Sequence, residues 1–295
     1  MLIVFNPTAG GRRRVLLRRA MDTLVRLGRA ADLAETTAPG HATRLAQEAV
    51  RRGIPLVVAA GGDGTIAEVA NGIAGSAATL GILPFGTANV LAWELGLPQG
   101  PEAAAAVLAG GRTARIHPGL ATWRDGSQRL FVQMLGAGFD AAVVHGLPPG
   151  LKRGLGKGAY VLQALREMPR YGFPRIGVVL DEGPAIEVAG AIVTKGRLYA
   201  GRHLLAPDAL PDEPGFRVAL FPRGGAWRAA LYGAALPLDL LPRLSGMALR
   251  RAGRIELTTD AAVPTQADGD AAGHLPVTIR DAPAAIAVLL PVLGR

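Results

Sequence analysis

Cysteine is absent from the 295 residues, which excludes a disulfide framework and any thiolate metal site and fits a cytoplasmic protein. Aromatic residues make up only 5% and form no stacking series beside the basic ones. With no groove-reading motif either, nucleic acid is not the expected partner. No uninterrupted apolar run is long enough to cross a bilayer. Met1-Leu2-Ile3-Val4-Phe5 is too short, and too soon followed by Asn6-Pro7, for a signal peptide. Lysine is scarce; arginine supplies most of the formal charge of +9. A basic balance points to an anionic partner, such as a nucleotide or an anionic membrane surface, or else reflects the base composition that also enriches Ala, Gly and Pro. The length and the 49% hydrophobic content suit one large or two moderate domains.

The stretch around which the rest is organised is Gly61-Gly62-Asp63-Gly64-Thr65. The apolar run at 54–60 precedes it and a helical pattern at 66–72 follows, so a buried strand ends in a glycine turn that opens a helix. Glycines let backbone approach a ligand closely, and a helix start offers free N–H groups and a positive dipole end. Asp63 within such a phosphate cradle adds repulsion unless a divalent cation lies between carboxylate and phosphates. Thr65 can bond a phosphate or cap the helix. The plainer reading is an ordinary strand-to-helix turn.

Residues 2–5 read as a buried strand, followed by the turn Asn6-Pro7-Thr8-Ala9-Gly10-Gly11 and a helix over 12–27 that opens on Arg12-Arg13-Arg14. A short strand at 32–35, the loop Thr36-Thr37-Ala38-Pro39-Gly40-His41 and a helix at 42–52 come next. A strand at 78–83 then leads into Pro84-Phe85-Gly86-Thr87-Ala88-Asn89 and another helix. This β–α alternation predicts a parallel sheet with helices on its faces, and ligands in such sheets bind outside the carboxyl ends of the strands.

Near residue 115 the pattern changes to short alternating runs at 129–134, 175–180, 185–189, 191–194, 216–221, 254–258 and 277–279, which read as mostly antiparallel strands. Asp181-Glu182-Gly183-Pro184 reads as a hairpin connection. Two helical insertions are expected. Residues 155–171 have Lys152, Arg153, Lys157, Arg166, Arg170 and Arg175 in or around them; residues 226–249 carry Trp227 and Tyr232 and are edged by Arg223, Arg228, Arg243, Arg250 and Arg251. Basic amphipathic segments of this kind either lie on anionic lipid or turn an apolar face to the core.

The order of Asn6-Pro7-Thr8-Ala9-Gly10-Gly11, Gly61-Gly62-Asp63-Gly64-Thr65, Pro84-Phe85-Gly86-Thr87-Ala88-Asn89, Gly136-Ala137-Gly138-Phe139-Asp140-Ala141, Ala206-Pro207-Asp208-Ala209 and Asp268-Gly269-Asp270 resembles the diacylglycerol kinase and sphingosine kinase superfamily, in particular its bacterial soluble lipid kinases. The resemblance covers nearly the whole length. It implies a Rossmann-like α/β lobe with a parallel sheet at 1–118 and a β-sandwich lobe with helical insertions at 119–295, whose last residues can return to the first lobe. It implies ATP in the cleft between the lobes and transfer of the γ-phosphoryl to a lipid hydroxyl at an anionic membrane surface. Asn6, Thr36, Gly61, Gly62, Asp63, Gly64, Thr65, Glu68 and Thr87 would line the nucleotide. Asp63 would reach the catalytic Mg²⁺ through water, and Asp270 would be the general base. The chain would then be cytoplasmic, peripheral at the inner face of the membrane, with a homodimer left open.

This sequence departs from the superfamily's pattern at several points. Asp270 stands where Glu is usual. Val90 and His117 stand where acids are common. Leu210-Pro211-Asp212-Glu213-Pro214-Gly215 replaces a stretch that binds a structural Mg²⁺, and Asp212 is the ligand that remains. Two other readings follow: a nucleotide-binding, membrane-associated sensor with weakened chemistry, and a kinase for a soluble acceptor such as NAD.

Overall fold

A computed structural model describes residues 1–8, 11–148 and 157–292. It divides into two compact units, one of Met1–His117 with Pro283–Arg295, the other of Pro118–Ala282. The first unit opens with β1 (Leu2–Phe5), α1 (Gly11–Arg26), β2 (Asp32–Glu35), α2 (His41–Arg51), β3 (Leu56–Gly61) and α3 (Asp63–Ile73). It continues with β4 (Thr79–Pro84), α4 (Val90–Glu94), α5 (Pro101–Gly110) and β5 (Arg112–Ile116). All four residues of β1 are buried, as expected of a strand covered by helices on both faces. Leu17, Ala20 and Leu24 repeat at helical spacing along α1 and are buried with Ile3, Phe5, Val58, Ala60, Leu83 and Leu108. α2 and α3 pack closely because Gly72 lacks a Cβ; one built there would lie 2.5 Å from Thr43 O and from the Ala46 Cβ.

The second unit holds β6 (Gly119–Trp123), β7 (Gln128–Phe131), β8 (Met134–Gly138), α6 (Phe139–His145), α7 (Lys157–Glu167), β9 (Ile176–Leu180), β10 (Ile186–Val188) and β11 (Gly190–Thr194). After these come β12 (Leu198–Tyr199), β13 (His203–Leu204), β14 (Phe216–Phe221), α8 (Ala226–Ala235), β15 (Ala248–Ala252), β16 (Arg254–Thr258), β17 (Pro264–Ala267), β18 (Asp270–His274) and β19 (Val277–Asp281). Two six-stranded antiparallel sheets result, β10-β9-β16-β19-β6-β7 and β15-β14-β11-β8-β17-β18. Their inner faces share a core of Trp123, Phe131, Leu135, Ile176, Val178, Val193, Phe216, Val218, Ile255, Leu257 and Ile279. Phe131 and Phe216 lie at 6.0 Å between ring centroids.

The last strand, β20 (Ile286–Leu290), belongs to the first unit. It pairs parallel with β4 and antiparallel with β5, giving the order β2-β1-β3-β4-β20-β5. The chain leaves β1 first for β2 on one side and then for β3 on the other. The carboxyl ends of β1 and β3 therefore flank the topological switch point, where open α/β sheets bind ligands.

Two expectations need correction. The run at 129–134 is not one strand: β7 and β8 lie in different sheets, and the chain turns at Val132 and Gln133. The helix expected over 226–249 ends at Ala235, because Pro237 and Pro242 break it into the 3₁₀ turns Leu236–Leu238 and Leu241–Arg243. Arg250 and Arg251 lie instead on β15, at the edge of a sheet, where charge discourages further strand pairing. Of the insertion expected at 155–171, α7 supplies the helix; Lys152, Arg153 and Leu155 lie outside the described residues, as do Ala9 and Gly10 of the first turn.

Candidate functional site

At the switch point of the first unit, β3 ends at Gly61, Gly62 sits in extended conformation, and α3 begins at Asp63. The turn after β4 presses against it. A Cβ on Gly86 would lie 2.3 Å from the Gly62 Cα, and one on Gly61 would lie 2.5 Å from Thr65 Oγ1. Both turns thus need glycine for close approach rather than for an unusual φ. Thr65 is buried, and its Oγ1 accepts the Asn6 side-chain N–H at 3.1 Å. Asn6 Oδ1 in turn accepts the Thr8 N–H at 3.0 Å. Thr36 follows β2, buried, with its N–H on Phe5 O at 2.8 Å. The carboxyl ends of β1, β2 and β3 are thereby tied together around Asn6, Thr36 and Thr65. Thr87 is exposed on the neighbouring turn.

Asp63 points its carboxylate at the start of α4. The backbone N–H groups of Val90, Leu91 and Asn89 donate to it, yet burial outweighs them and pushes the carboxyl above its usual range. Oδ1 is buried and has no hydrogen-bond partner. An acceptor oxygen out of water and without a donor is costly, so the position favours a proton or a cation. Val90 contributes its N–H here, while its apolar side chain is buried. Glu68 lies one turn further along α3. Its two oxygens accept the N–H groups of Gly40, at 2.8 Å, and Ala42, at 3.0 Å. It fastens the start of α2 and with it the loop that carries Thr36.

In the second unit, Asp268-Gly269-Asp270 is the turn that joins β17 to β18, with Ala267 paired to Asp270 and φ of 51° and 82° at Asp268 and Gly269. Two successive positive φ values make it the tight hairpin type that right-twisted strands favour. Asp268 is buried and accepts the N–H groups of Val132, Gln133 and Met134 at 2.8, 2.8 and 3.0 Å. These are the groups freed where the chain passes from β7 to β8. Burial still pushes the Asp268 carboxyl up to about 6, against those three donors. Asp270 is partly exposed, its Oδ2 3.9 Å from Arg129 Nη2. Arg129 also donates to Ala271 O at 3.1 Å and Ala267 O at 3.4 Å, so one guanidinium grips both strands of the hairpin. Arg129 sits in an alternating strand run with nothing in the sequence to mark it.

Residues 1–121 match the diacylglycerol kinase catalytic domain family. A protein of Xanthomonas oryzae described as "Probable lipid kinase YegS-like" is 31% identical over 294 residues, 95% of this chain and 94% of that one. This chain belongs to the diacylglycerol kinase catalytic domain family. A second YegS-like relative, from Pseudomonas putida, is 32% identical over 75% of both chains. The diacylglycerol kinase of Bacillus subtilis is 28% identical over 93% of this chain and 90% of its own. A diacylglycerol kinase crystal structure from Bacillus anthracis superposes with a TM-score of 0.71 at 18% identity, over 98% of this chain and 96% of that one, and so shares the fold.

Within this kinase-family fold the loop after β13 is built without an acidic cage. Asp212 is exposed, and among the described residues no group of three or more His, Asp or Glu could hold a metal ion. The loop's carbonyls turn instead to Lys195, whose buried Nζ donates to Gly215 O at 2.6 Å, Glu213 O at 3.3 Å and Asp281 Oδ1 at 2.7 Å. Asp281 Oδ2 accepts the Gly215 N–H at 2.7 Å. An ammonium thus gathers two carbonyls of this loop and the Asp281 carboxylate. On α8 and the turns after it, Trp227 is 79% and Leu238 67% exposed, with Leu231 and Leu240 also exposed. Arg223 before α8, Arg243 in the second turn and Arg250 on β15 are exposed as well. No helix among the described residues is long and apolar enough to cross a membrane.

Proposed function

We propose that this protein transfers the γ-phosphoryl group of ATP to a hydroxyl of a membrane lipid. The observation that carries the reading is the unpartnered, buried Oδ1 of Asp63 beside two glycine turns in contact, at the switch point of a parallel sheet. A lone carboxylate with close backbone approach suits Mg²⁺, which keeps most of its waters and binds phosphate oxygens with one or two carboxylates. Asp63 would hold it, and the ion when bound supplies charge neutralisation to the phosphates. The first turn of α3 offers its N–H groups to phosphate oxygens, and Asn6, Thr36 and Thr65 fix the strand ends around them. Thr87 contributes a hydroxyl from the next turn. Glu68 acts at one remove, by holding the Thr36 loop. Asp270 takes the proton of the attacking hydroxyl, and Arg129 holds the hairpin that carries it.

The acceptor lies in a bilayer, and α8 supports that part of the reading. Its segment presents Trp227, Leu231, Leu238 and Leu240 to solvent, and residues 223–251 hold five Arg but a single acid, Asp239. Apolar side chains ringed by Arg suit an anionic lipid surface. The protein would act peripherally, on the ATP-containing side of the membrane.

The deciding experiment follows labelled γ-phosphate from ATP, with Mg²⁺, into a total lipid extract, using wild type and Asp63→Ala. Label in a lipid that disappears in the variant is the expected result. ATP binding without label in any lipid would overturn the reading.

A further inference from the structure

The segment Gly136–Ala141 has no part in the chemistry above, yet it places a half-buried carboxylate behind the Asp270 hairpin. β8 ends at Gly138, with φ of 105°, and α6 starts at once, so Asp140 lies back over the sheet. Its Oδ1 accepts the Tyr199 hydroxyl, and its Oδ2 accepts Gln266 Nε2 at 3.0 Å. Gln266 is buried on β17, and its own Oε1 accepts the Gly269 N–H at 2.8 Å. A continuous relay therefore runs Tyr199–Asp140–Gln266–Gly269 and ends on the residue before Asp270. Room for it is built in: a Cβ on Gly136 would lie 2.3 Å from Asp140 Oδ2 and 2.8 Å from Gln266 Nε2. One turn along α6, His145 Nε2 bonds Thr265 O at 2.8 Å, a second tie between α6 and β17.

The relay is directional. The Gly269 N–H can only donate, so Gln266 turns its oxygen toward Gly269 and its NH₂ toward the Asp140 Oδ2, which accepts. A reversed amide would set NH₂ against the Gly269 N–H. Asp268 already anchors the hairpin from one side; the relay fixes the Gly269 peptide from the other. We infer that Asp140 and Gln266 are positioning residues that orient the Gly269 peptide and thereby aim the Asp270 carboxylate. This rests on the reading of Asp270 as proton acceptor.

The test uses the full chain and the lipid-kinase assay. Gln266→Met and Asp140→Ala should each lower kcat about tenfold to a hundredfold, as small misplacements of a reacting group do, with the KM for ATP unchanged. Asp140→Asn should restore most of kcat, because its amide oxygen still faces Gln266 while the Tyr199 hydroxyl turns to accept. In an Asp270→Asn background neither Gln266→Met nor Asp140→Ala should cost anything further, since there is no base left to aim. Amide exchange at Gly269, which does not depend on turnover, should accelerate in both single variants. Full loss in the Asp270→Asn background, or unchanged Gly269 exchange, would overturn the relay. Full activity of Asp270→Asn alone would instead remove the base reading, so the two failures are distinct.

Discussion

Removing the Asp268 side chain should both weaken the fold and change how its stability depends on pH. In Asp268→Ala the N–H groups of Val132, Gln133 and Met134 lose their acceptor in a buried place. Each buried unsatisfied donor costs about 1–3 kcal/mol, or about 3–6 kcal/mol for the three after partial relaxation. Against this stands the burial of the carboxylate itself. Its carboxyl lies at about 6 in the folded protein, against an ordinary value of 3.8, which the unfolded chain retains. The sign follows from proton linkage. With the folded value raised, the folded state holds the proton more tightly, so the stabilisation is fully present below about 3.8 and is lost as pH rises through about 6. The difference amounts to about 3 kcal/mol at the limits and about 1.4 kcal/mol between pH 5 and pH 7. The substitution should therefore cost about 0–3 kcal/mol at pH 7 and about 1.4 kcal/mol more at pH 5. Urea unfolding of both proteins at the two pH values measures this directly, provided the m-values agree, because all other titrations cancel in the difference. A cost that does not grow from pH 7 to pH 5, or one under about 1 kcal/mol at pH 5, would refute the reasoning.

Glu68→Ala releases the N–H groups of Gly40 and Ala42, and should destabilise the protein by about 1–2 kcal/mol while raising the KM for ATP; an unchanged KM would separate that loop from nucleotide binding. Lys195→Met leaves Asp281 without its ammonium and should cost about 2–4 kcal/mol in thermal or urea unfolding, less than for a fully buried pair because Asp281 is partly exposed. Adding Asp281→Leu to it should recover part of that loss, and a double variant as weak as the single would contradict the pairing. Trp227 fluorescence should shift to shorter wavelength on vesicles containing anionic lipid, and the shift should vanish in Trp227→Phe. It should also weaken in salt or when Arg228, Arg243 and Arg250 are neutralised; a shift equal on zwitterionic vesicles would rule out the charge argument.

The sequence announces some of these features and conceals others for physical reasons. The β–α alternation and the strand–glycine–helix turn at Gly61–Thr65 are local patterns, written in hydrophobic period and in residues with one use, and the sheet and turn follow them closely. The position of Asn6 against Thr65 spans 59 residues, and only the resemblance brought the two together. The resemblance sets Glu68 among the nucleotide-lining residues. Its partners, Gly40 and Ala42, belong to another helix and leave no trace in local spacing. Arg129 and Lys195 are hidden for the same reason, since a basic residue in a β run ordinarily faces solvent. The prolines at 237 and 242 are a legible stop signal, and the apolar run around them masks it in a reading by hydrophobic period.

The place of β20 bears on how this protein comes to be folded at all. It lies between β4 and β5, so the sheet begun by residue 2 is closed only by residues 286–290. During synthesis β4 must wait with one edge unpaired, and β5 without a strand partner, while the whole of the second unit is made. A fragment ending near residue 117 would therefore carry every turn of the proposed nucleotide site and yet expose the open edge of the buried strand β4, an invitation to aggregate. The first unit is first in the sequence, yet its sheet is joined up only after the second unit has been made.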